Sequence, residues 1–286
     1  MREIIIRQMR DSDLDSAMRL KEAESWNQTE DDWRFFLEQG PDLCLVATTC
    51  EGEVVGTVTA INYNDEIAWI GMMLVSRRHR RMGIGSSLLG TIIDRLQGCV
   101  SIKLDATPAG AKVYRKLGFK EECELTRLSV ESLDPIRGES YLDSVESVDE
   151  TNLVEILKWD KRVFGSDRSN LIMKLARQGS GLGWIARSDG KMIGYMLGRR
   201  GTRYTHLGPI VAVSTEGSKA MIAKVAASLE GMAVVLDIPS SKSGWQDWLA
   251  EMGFSKQRSL YRMYLNCNLS GSKAYFQYAI CGPEFG

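Results

Sequence analysis

Leu74-Val75-Ser76-Arg77-Arg78-His79-Arg80-Arg81-Met82-Gly83-Ile84-Gly85-Ser86-Ser87 joins two segments of different periodicity. Before it, Ile67 to Val75 is an apolar run of strand length. After it, Leu88, Leu89, Ile92, Ile93 and Leu96 recur at helical spacing. A basic, glycine-containing loop between a buried strand and a helix suits an anion. The first N–H groups of a helix have no partner inside it, and the macrodipole places partial positive charge there. Gly83 and Gly85 allow close backbone approach, and Arg77, Arg78, Arg80 and Arg81 add charged donors that match phosphate. The pattern predicts a pyrophosphate cradle; the plainer alternative is a solvated basic turn. Neither the dinucleotide fingerprint G-x-G-x-x-G nor the triphosphate loop ending G-K-[ST] is present.

Composition narrows the class. The 286 residues are 44% hydrophobic and 26% charged, ordinary for a folded protein and long enough for two domains. Net charge is -1, so the basic cluster at 77–81 is local and points to one small anion; no nucleic acid or membrane partner is expected. Six scattered cysteines without C-x-x-C, and an N-terminus that runs straight into Ile4-Ile5-Ile6, lead to the expectation of a cytoplasmic protein with reduced thiols. With only His79 and His206, no His/Cys group has metal-ligand spacing, and no metal is expected.

Strands are predicted at Ile4–Met9, Leu43–Thr48, Val54–Ile61 and Ile67–Val75. Asp11-Ser12-Asp13 and Thr29 start the first two helices, and Trp33, Phe36 and Leu37 form the buried stripe of the second. Trp26 falls near their connection, a residue either of the core or of a substrate wall. After the loop and its helix come a strand at Val100–Leu104, a helix begun by Pro108 that carries Ala111, Val113, Tyr114 and Leu117, and a strand from Glu122 to Val130.

Two linked segments now stand in order: Arg80-x-x-Gly83-x-Gly85 at a strand–helix junction, and Thr107-x-x-Gly110-x-x-x-Tyr114-x-x-Leu117-Gly118-Phe119 downstream. Together they resemble the GNAT N-acetyltransferase superfamily, whose acetyl-CoA loop reads [QR]-x-x-G-x-[GA]. The resemblance implies an α/β (α+β) fold, a mixed and mostly antiparallel twisted sheet flanked by helices. It also implies transfer of an acetyl group from acetyl-CoA to a primary amine of a small molecule, directly in a ternary complex.

The pattern then repeats. Asp189-Gly190 sits between strands as Glu51-Gly52 does, Leu207-Gly208-Pro209-Ile210 follows like Ile70-Gly71-Met72-Met73, and Met252-Gly253-Phe254 echoes Leu117-Gly118-Phe119, roughly 135 residues on. Two tandem domains are expected, 1–136 catalytic and 137–286 a degenerate copy with a tail, joined near 134–140. In the copy, Val213-Ser214-Thr215-Glu216-Gly217-Ser218 has one glycine and no arginine, Glu216 stands where an anion would sit, and Trp248 replaces Tyr114. Cofactor binding is therefore expected in the first half alone. The tail from Ser270, with Tyr275, Phe276 and Tyr278, is too aromatic for a free end; it is expected to dock on one domain without chemistry.

By the resemblance, acetyl-CoA is held by backbone groups of Met73, Leu74 and Val75 and by Arg80, Arg81, Met82, Gly83, Ile84, Gly85 and Ser86. Gly71 suits either a close approach or simple packing. Tyr114 is the candidate general acid for the leaving thiolate; its alternative is a packed helix tyrosine. The base stays open among Glu66, Asp105 and Glu24, because Trp69 stands where related enzymes carry a glutamate. That tryptophan also keeps alive a non-catalytic sensor of CoA or an acylated metabolite. The oligomeric state is expected to be monomer or homodimer.

Overall fold

The structure, a computed structural model, describes residues 4–135 and 145–286. The first half contains β1 (Ile4–Gln8), α1 (Leu14–Ala23), α2 (Glu30–Gln39), β2 (Cys44–Thr49), β3 (Val54–Tyr63), β4 (Ile67–Val75), α3 (Ile84–Arg95), β5 (Ser101–Ala106), α4 (Pro108–Lys116) and β6 (Lys120–Val130). The second contains β7 (Val145–Ser147), α5 (Glu150–Phe164), α6 (Ser169–Gln178), β8 (Trp184–Ser188), β9 (Lys191–Arg200), β10 (Thr205–Ala212), α7 (Thr215–Ala226), β11 (Val234–Pro239), α8 (Ser243–Glu251), β12 (Ser255–Asn266) and β13 (Gln277–Ala279). The element order repeats, as the sequence pattern predicts. The sheet is mixed and mostly antiparallel, with the β4–β5 and β10–β11 pairs parallel. The expected joint at 134–140, and with it the division at 136/137, falls largely on residues outside those described.

Helix starts follow their capping chemistry. The Thr29 hydroxyl accepts from the Asp32 N–H while the Asp32 carboxylate accepts from the Thr29 N–H, and Asp149 and Thr107 cap α5 and α4. At the first helix, Asp11-Ser12-Asp13 is itself one 3-10 turn. Asp13 there accepts from the Arg10 N–H and from the Arg7 guanidinium at 2.7 Å and 2.8 Å.

The halves are not independent sheets. Strands run in the order β1-β2-β3-β4-β5-β12-β6-β11-β10-β9-β8-β7, with β13 added to β10. The last strand of each repeat lies beyond its own half: β12 separates β5 from β6, and β6 separates β12 from β11. Two equivalent buried ion pairs stitch this exchange. Arg262 on β12 forks onto Asp105 of β5 at 2.9 Å and 3.0 Å, and Arg127 on β6 forks onto Asp237 of β11 at 2.7 Å and 2.6 Å. Removing one partner leaves the other charge buried and unpaired. Arg127→Met is therefore expected to destabilise the fold by about 3–5 kcal/mol, read as a fall in the urea midpoint; an unchanged midpoint would show that the pair contributes nothing.

Helices cover both faces. On one, α3 and α4 pack with Ile84, Leu88, Leu89, Ile92 and Ala111 over the first half, and α7 and α8 form a separate core with Met221, Val225, Trp245 and Leu249. On the other, α1, α2, α5 and α6 share one core through Leu14, Trp33, Phe36, Ile156, Phe164 and Leu171, and Phe285 of the tail lies within it. The two expected domains are thus joined by sheet and by core.

The tail departs from expectation by docking on both halves. β13 pairs with β10, Ile210 opposite Ala279 and Val211 opposite Gln277. Residues 281–286 then cross to the first half, where Phe285 stacks on Phe36 with ring centres 5.2 Å apart. The Trp69 indole N–H donates to the Pro283 carbonyl at 3.0 Å, and the Tyr63 hydroxyl donates to the Phe285 carbonyl at 3.2 Å.

Candidate active site

The site begins with a break in alternation along β4. Ile67 and Trp69 face the shared core and Ala68 and Ile70 the opposite one, but Met72 and Leu74 then return to the shared core. The shift is a bulge: between the Gly71–Thr59 and Leu74–Thr57 pairs, β4 has one residue more than β3. Met72 takes a left-handed φ of 48°, and the Thr57 hydroxyl donates to its carbonyl at 2.7 Å. On its other edge, β4 pairs with β5 only through Ile67, Ala68 and Trp69. Beyond them the strands part, leaving backbone groups of β4 unpaired toward β5 where an extended ligand can add.

A cavity of about 110 Å³ occupies the parting, lined by Ile70 to Met73 of β4, Leu104 to Thr107, Tyr114, Trp26, Gln28, Arg258, Leu260, Pro283 and Glu284. Both halves and the tail build it. The α1–α2 connection that brings Trp26 and Gln28 is docked on the second half: Asn27 Oδ1 accepts from the Arg203 and Tyr204 N–H groups at 3.0 Å and 2.9 Å. Gly71 serves a close approach, because a Cβ there would meet the backbone oxygen of Glu284 at 2.8 Å.

The basic loop lies at the end of the same strand. Gly83 caps α3 in the left-handed region at φ 81°, with no side chain covering the first-turn N–H groups and nothing within 4 Å of where a Cβ would project. Arg81 is also left-handed, at φ 64°. An open helix N-terminus with space before it and arginines around it fits a phosphate. Gly85 packs against Met73, tying loop to strand. Arg80 donates to the Val75 carbonyl at 3.1 Å and to Glu24 at 2.6 Å, and Arg77 donates to the same carboxylate at 2.9 Å.

The candidate proton-transfer groups separate clearly. Tyr114 lines the cavity, its ring against Phe119 and Gly110, and burial pushes its phenol up to about 12, so it holds its proton at neutral pH. Asp105 also lines the cavity, but Arg262 occupies both its oxygens. Burial raises its carboxyl while Arg262 pulls it down. Asp237 makes the equivalent pair in the other half, so the arrangement belongs to the strand exchange. Glu24 is engaged by the loop arginines. Glu66 accepts from the Ser166 hydroxyl at 2.7 Å and is not among the residues that line the cavity.

Sequence reasoning missed Glu284. Its carboxylate is 3% exposed, one oxygen pairs with Arg199, and the other is buried without a partner. Arg199 also donates to Asp32 at 2.7 Å, so one guanidinium from β9 holds α2 and the tail together. Burial raises the Glu284 carboxyl above the usual glutamate range, with Arg199 working against it. Gln28 Oε1 is likewise buried and unpartnered, and Arg258 completes the set. No motif marks these three residues in the sequence.

The equivalent parting in the second half is filled. β10 and β11 pair only through Thr205 and His206, and β13 lies in the opening beyond, with the Ile280 N–H donating to the Asp237 carbonyl at 2.9 Å. The N-terminus of α7 is closed as well, since the Ser214 hydroxyl accepts from the Gly217 N–H. Among the described residues no group of three or more His, Cys, Asp or Glu is placed to hold a metal.

A model of the acetyltransferase (GNAT) family matches residues 3–119, and a second acetyltransferase (GNAT) domain model matches residues 156–277. The chain belongs to the GNAT superfamily, with two GNAT domains in tandem. Among curated relatives, this tandem GNAT protein is 31% identical over 188 residues to the uncharacterized N-acetyltransferase YitH of Bacillus subtilis (strain 168). That match covers 65% of this chain and 66% of the relative, just under two thirds of its length. It is 29% identical over 237 residues to holothin acyltransferase of a Pseudoalteromonas species, covering 82% of this chain and 78% of that one. The fold is shared along the whole chain with a Pyrococcus horikoshii structure described as a candidate acetyltransferase, with TM-score 0.81, 24% identity and coverage of 99% and 96%. A tandem GNAT protein from the clavulanic acid biosynthesis pathway also shares it, with TM-score 0.64, 16% identity and coverage of 92% and 98%. The names of these relatives share one general activity, acyl transfer.

Proposed function

We propose that the protein is an N-acetyltransferase that moves an acetyl group from acetyl-CoA to the primary amine of a small molecule, directly in a ternary complex. The observation that carries this reading is the cavity between β4 and β5, with the open glycine loop at the end of one wall and Tyr114 in the other. The names of the relatives, an N-acetyltransferase and a holothin acyltransferase, support it.

Acetyl-CoA supplies the acetyl group as an activated thioester. The N–H groups from Arg81 to Ser86, with Arg80, hold the pyrophosphate, and the unpaired backbone of Met73, Leu74 and Val75 holds the pantetheine arm like an added strand. An N–H of the bulged segment stabilises the oxyanion that develops on the carbonyl. Glu284, which lines the cavity and whose second oxygen has no hydrogen-bond partner, takes the first proton from the acceptor's ammonium and returns it to solvent. The nitrogen lone pair forms the N–C bond as the C–S bond breaks, and its pair stays on sulfur. Tyr114 gives its proton to that sulfur and is restored by the second N–H proton. Trp26, Gln28 and the tail exclude bulk water. The second half supplies walls, and its own filled parting supports a single acetyl-CoA site. We also propose cytoplasmic action as a monomer or homodimer, away from nucleic acid and membranes. The free state of all six cysteines and the net charge of -1 support this.

Tyr114→Phe is expected to keep acetyl-CoA affinity while slowing turnover by roughly 10²-fold or more. Steady-state kinetics of thiol release beside an acetyl-CoA titration measure both. Unchanged kcat would return Tyr114 to a packing role.

A further inference from the structure

Buried arginines in this protein come with carboxylates: Arg127 with Asp237, Arg168 with Asp160, Arg199 with Asp32 and Glu284, and Arg262 with Asp105. Arg258, half-buried on the cavity wall, does not. Its Nε is buried without a partner, and its guanidinium joins no hydrogen bond or ion pair among the described residues. Burial and the nearby Arg127 push it down to about 10, with Asp237 and Glu284 opposing, so it is still cationic at neutral pH. A partly desolvated cation without a partner is costly, and the cause is sought in what it faces. Packing does not supply one. Arg258 lies four residues before Arg262, as Cys123 lies four before Arg127, so the equivalent strand position in the other repeat is filled by a cysteine.

Two residues that line the same cavity, Glu284 and Gln28, each carry a buried oxygen without a hydrogen-bond partner, Oε2 and Oε1. Two acceptors beside a carboxylate charge suit the N–H groups of an amine. One unmatched guanidinium suits a planar anion, which it can grip with two hydrogen bonds. We infer that the acceptor is an amino-acid-type zwitterion, its amine held by Glu284 and Gln28 and its carboxylate paired with Arg258. This rests on the cavity being the acceptor site of the reaction proposed above. It adds what the family match does not specify, the charge the acceptor must carry beside its amine.

The test compares a panel of α-amino acids with their matched α-amino amides, which keep the amine and lose the negative charge. In the wild-type protein the acids are expected to exceed the amides in kcat/KM by roughly 100-fold. Arg258→Gln is expected to remove that preference, and Arg258→Lys to restore part of it. A binding arm needs no turnover: N-acetyl amino acids and their amides are titrated onto the CoA-loaded protein. Tighter binding of the acids, lost in Arg258→Gln with the melting temperature unchanged, supports the anion site even if no amine of the panel is acetylated. That last result would count against the transferase reading alone. Equal binding of acids and amides, no binding by any acid, or a preference that survives Arg258→Gln overturns the inference.

Discussion

A chain ended after Pro135 is expected to be insoluble, although it retains the glycine loop, β4, β5 and Tyr114. It loses β12, and with it every rung on the second edge of β5. Asp105 is left buried without Arg262, a loss of about 3–5 kcal/mol by itself. Leu260, Met263 and Phe285 leave their cores, each worth about 1.5–3 kcal/mol when fully buried. Together these equal or exceed the roughly 5–15 kcal/mol that holds an ordinary domain folded. The exposed edges of β5 and β6 would also invite pairing with other copies. Soluble yield and size-exclusion profile measure the outcome. A monodisperse 1–135 chain that binds acetyl-CoA like the full protein would show that the exchanged strand is dispensable.

The second large effect is expected at the loop. Gly83→Asp places a carboxylate in the open space before α3 and forces a left-handed φ of 81° on a residue with a Cβ. Like charge at contact distance from a pyrophosphate is expected to weaken acetyl-CoA binding by roughly 10²-fold or more, with Arg80→Glu acting in the same direction. The site is exposed, so only the backbone strain acts on the fold, and the melting temperature without ligand is expected to fall by no more than a few degrees. Calorimetric titration beside a thermal melt separates loss of binding from loss of fold, and unaltered affinity in both variants would remove the loop from the phosphate site.

What the sequence discloses is what local chemistry encodes. The Ile67–Val75 run, the helical spacing after Gly85 and the Thr107–Phe119 segment each carry their period and caps within a few residues, and each is found in place. The repeat was legible because Leu117-Gly118-Phe119 and Met252-Gly253-Phe254 mark equivalent turns. The strand exchange was not, because Lys120–Val130 and Ser255–Asn266 have equivalent patterns and nothing local states which β5-type strand either will join. Arg127 and Arg262 record the answer, but only once Asp237 and Asp105 are seen opposite them. The tail was hidden for a similar reason. Residues 277–286 have no long period, and the purpose of Glu284 depends on Gly71, Arg199 and Gln28, all distant in the chain. Asp105 and Glu24 are acidic residues at suggestive places whose charges the fold commits to arginines.

Filling of the second parting by β13 bears on how the two halves divide their work. The opening that a pantetheine arm would enter in the first half is, in the second, closed by the protein's own backbone, and Ser214 caps the helix where a phosphate would sit. The tail that closes it continues into the first half and delivers Glu284 to the cavity. The same ten residues thus fill the parting of the second half and line the cavity of the first.

The central claim is that one half carries the acetyl-CoA site and the other has closed its own. Calorimetric titration of the full chain with acetyl-CoA tests it most directly. The account predicts one site per chain, abolished by Gly83→Asp. Two sites per chain, or a site that persists in that variant, would contradict it.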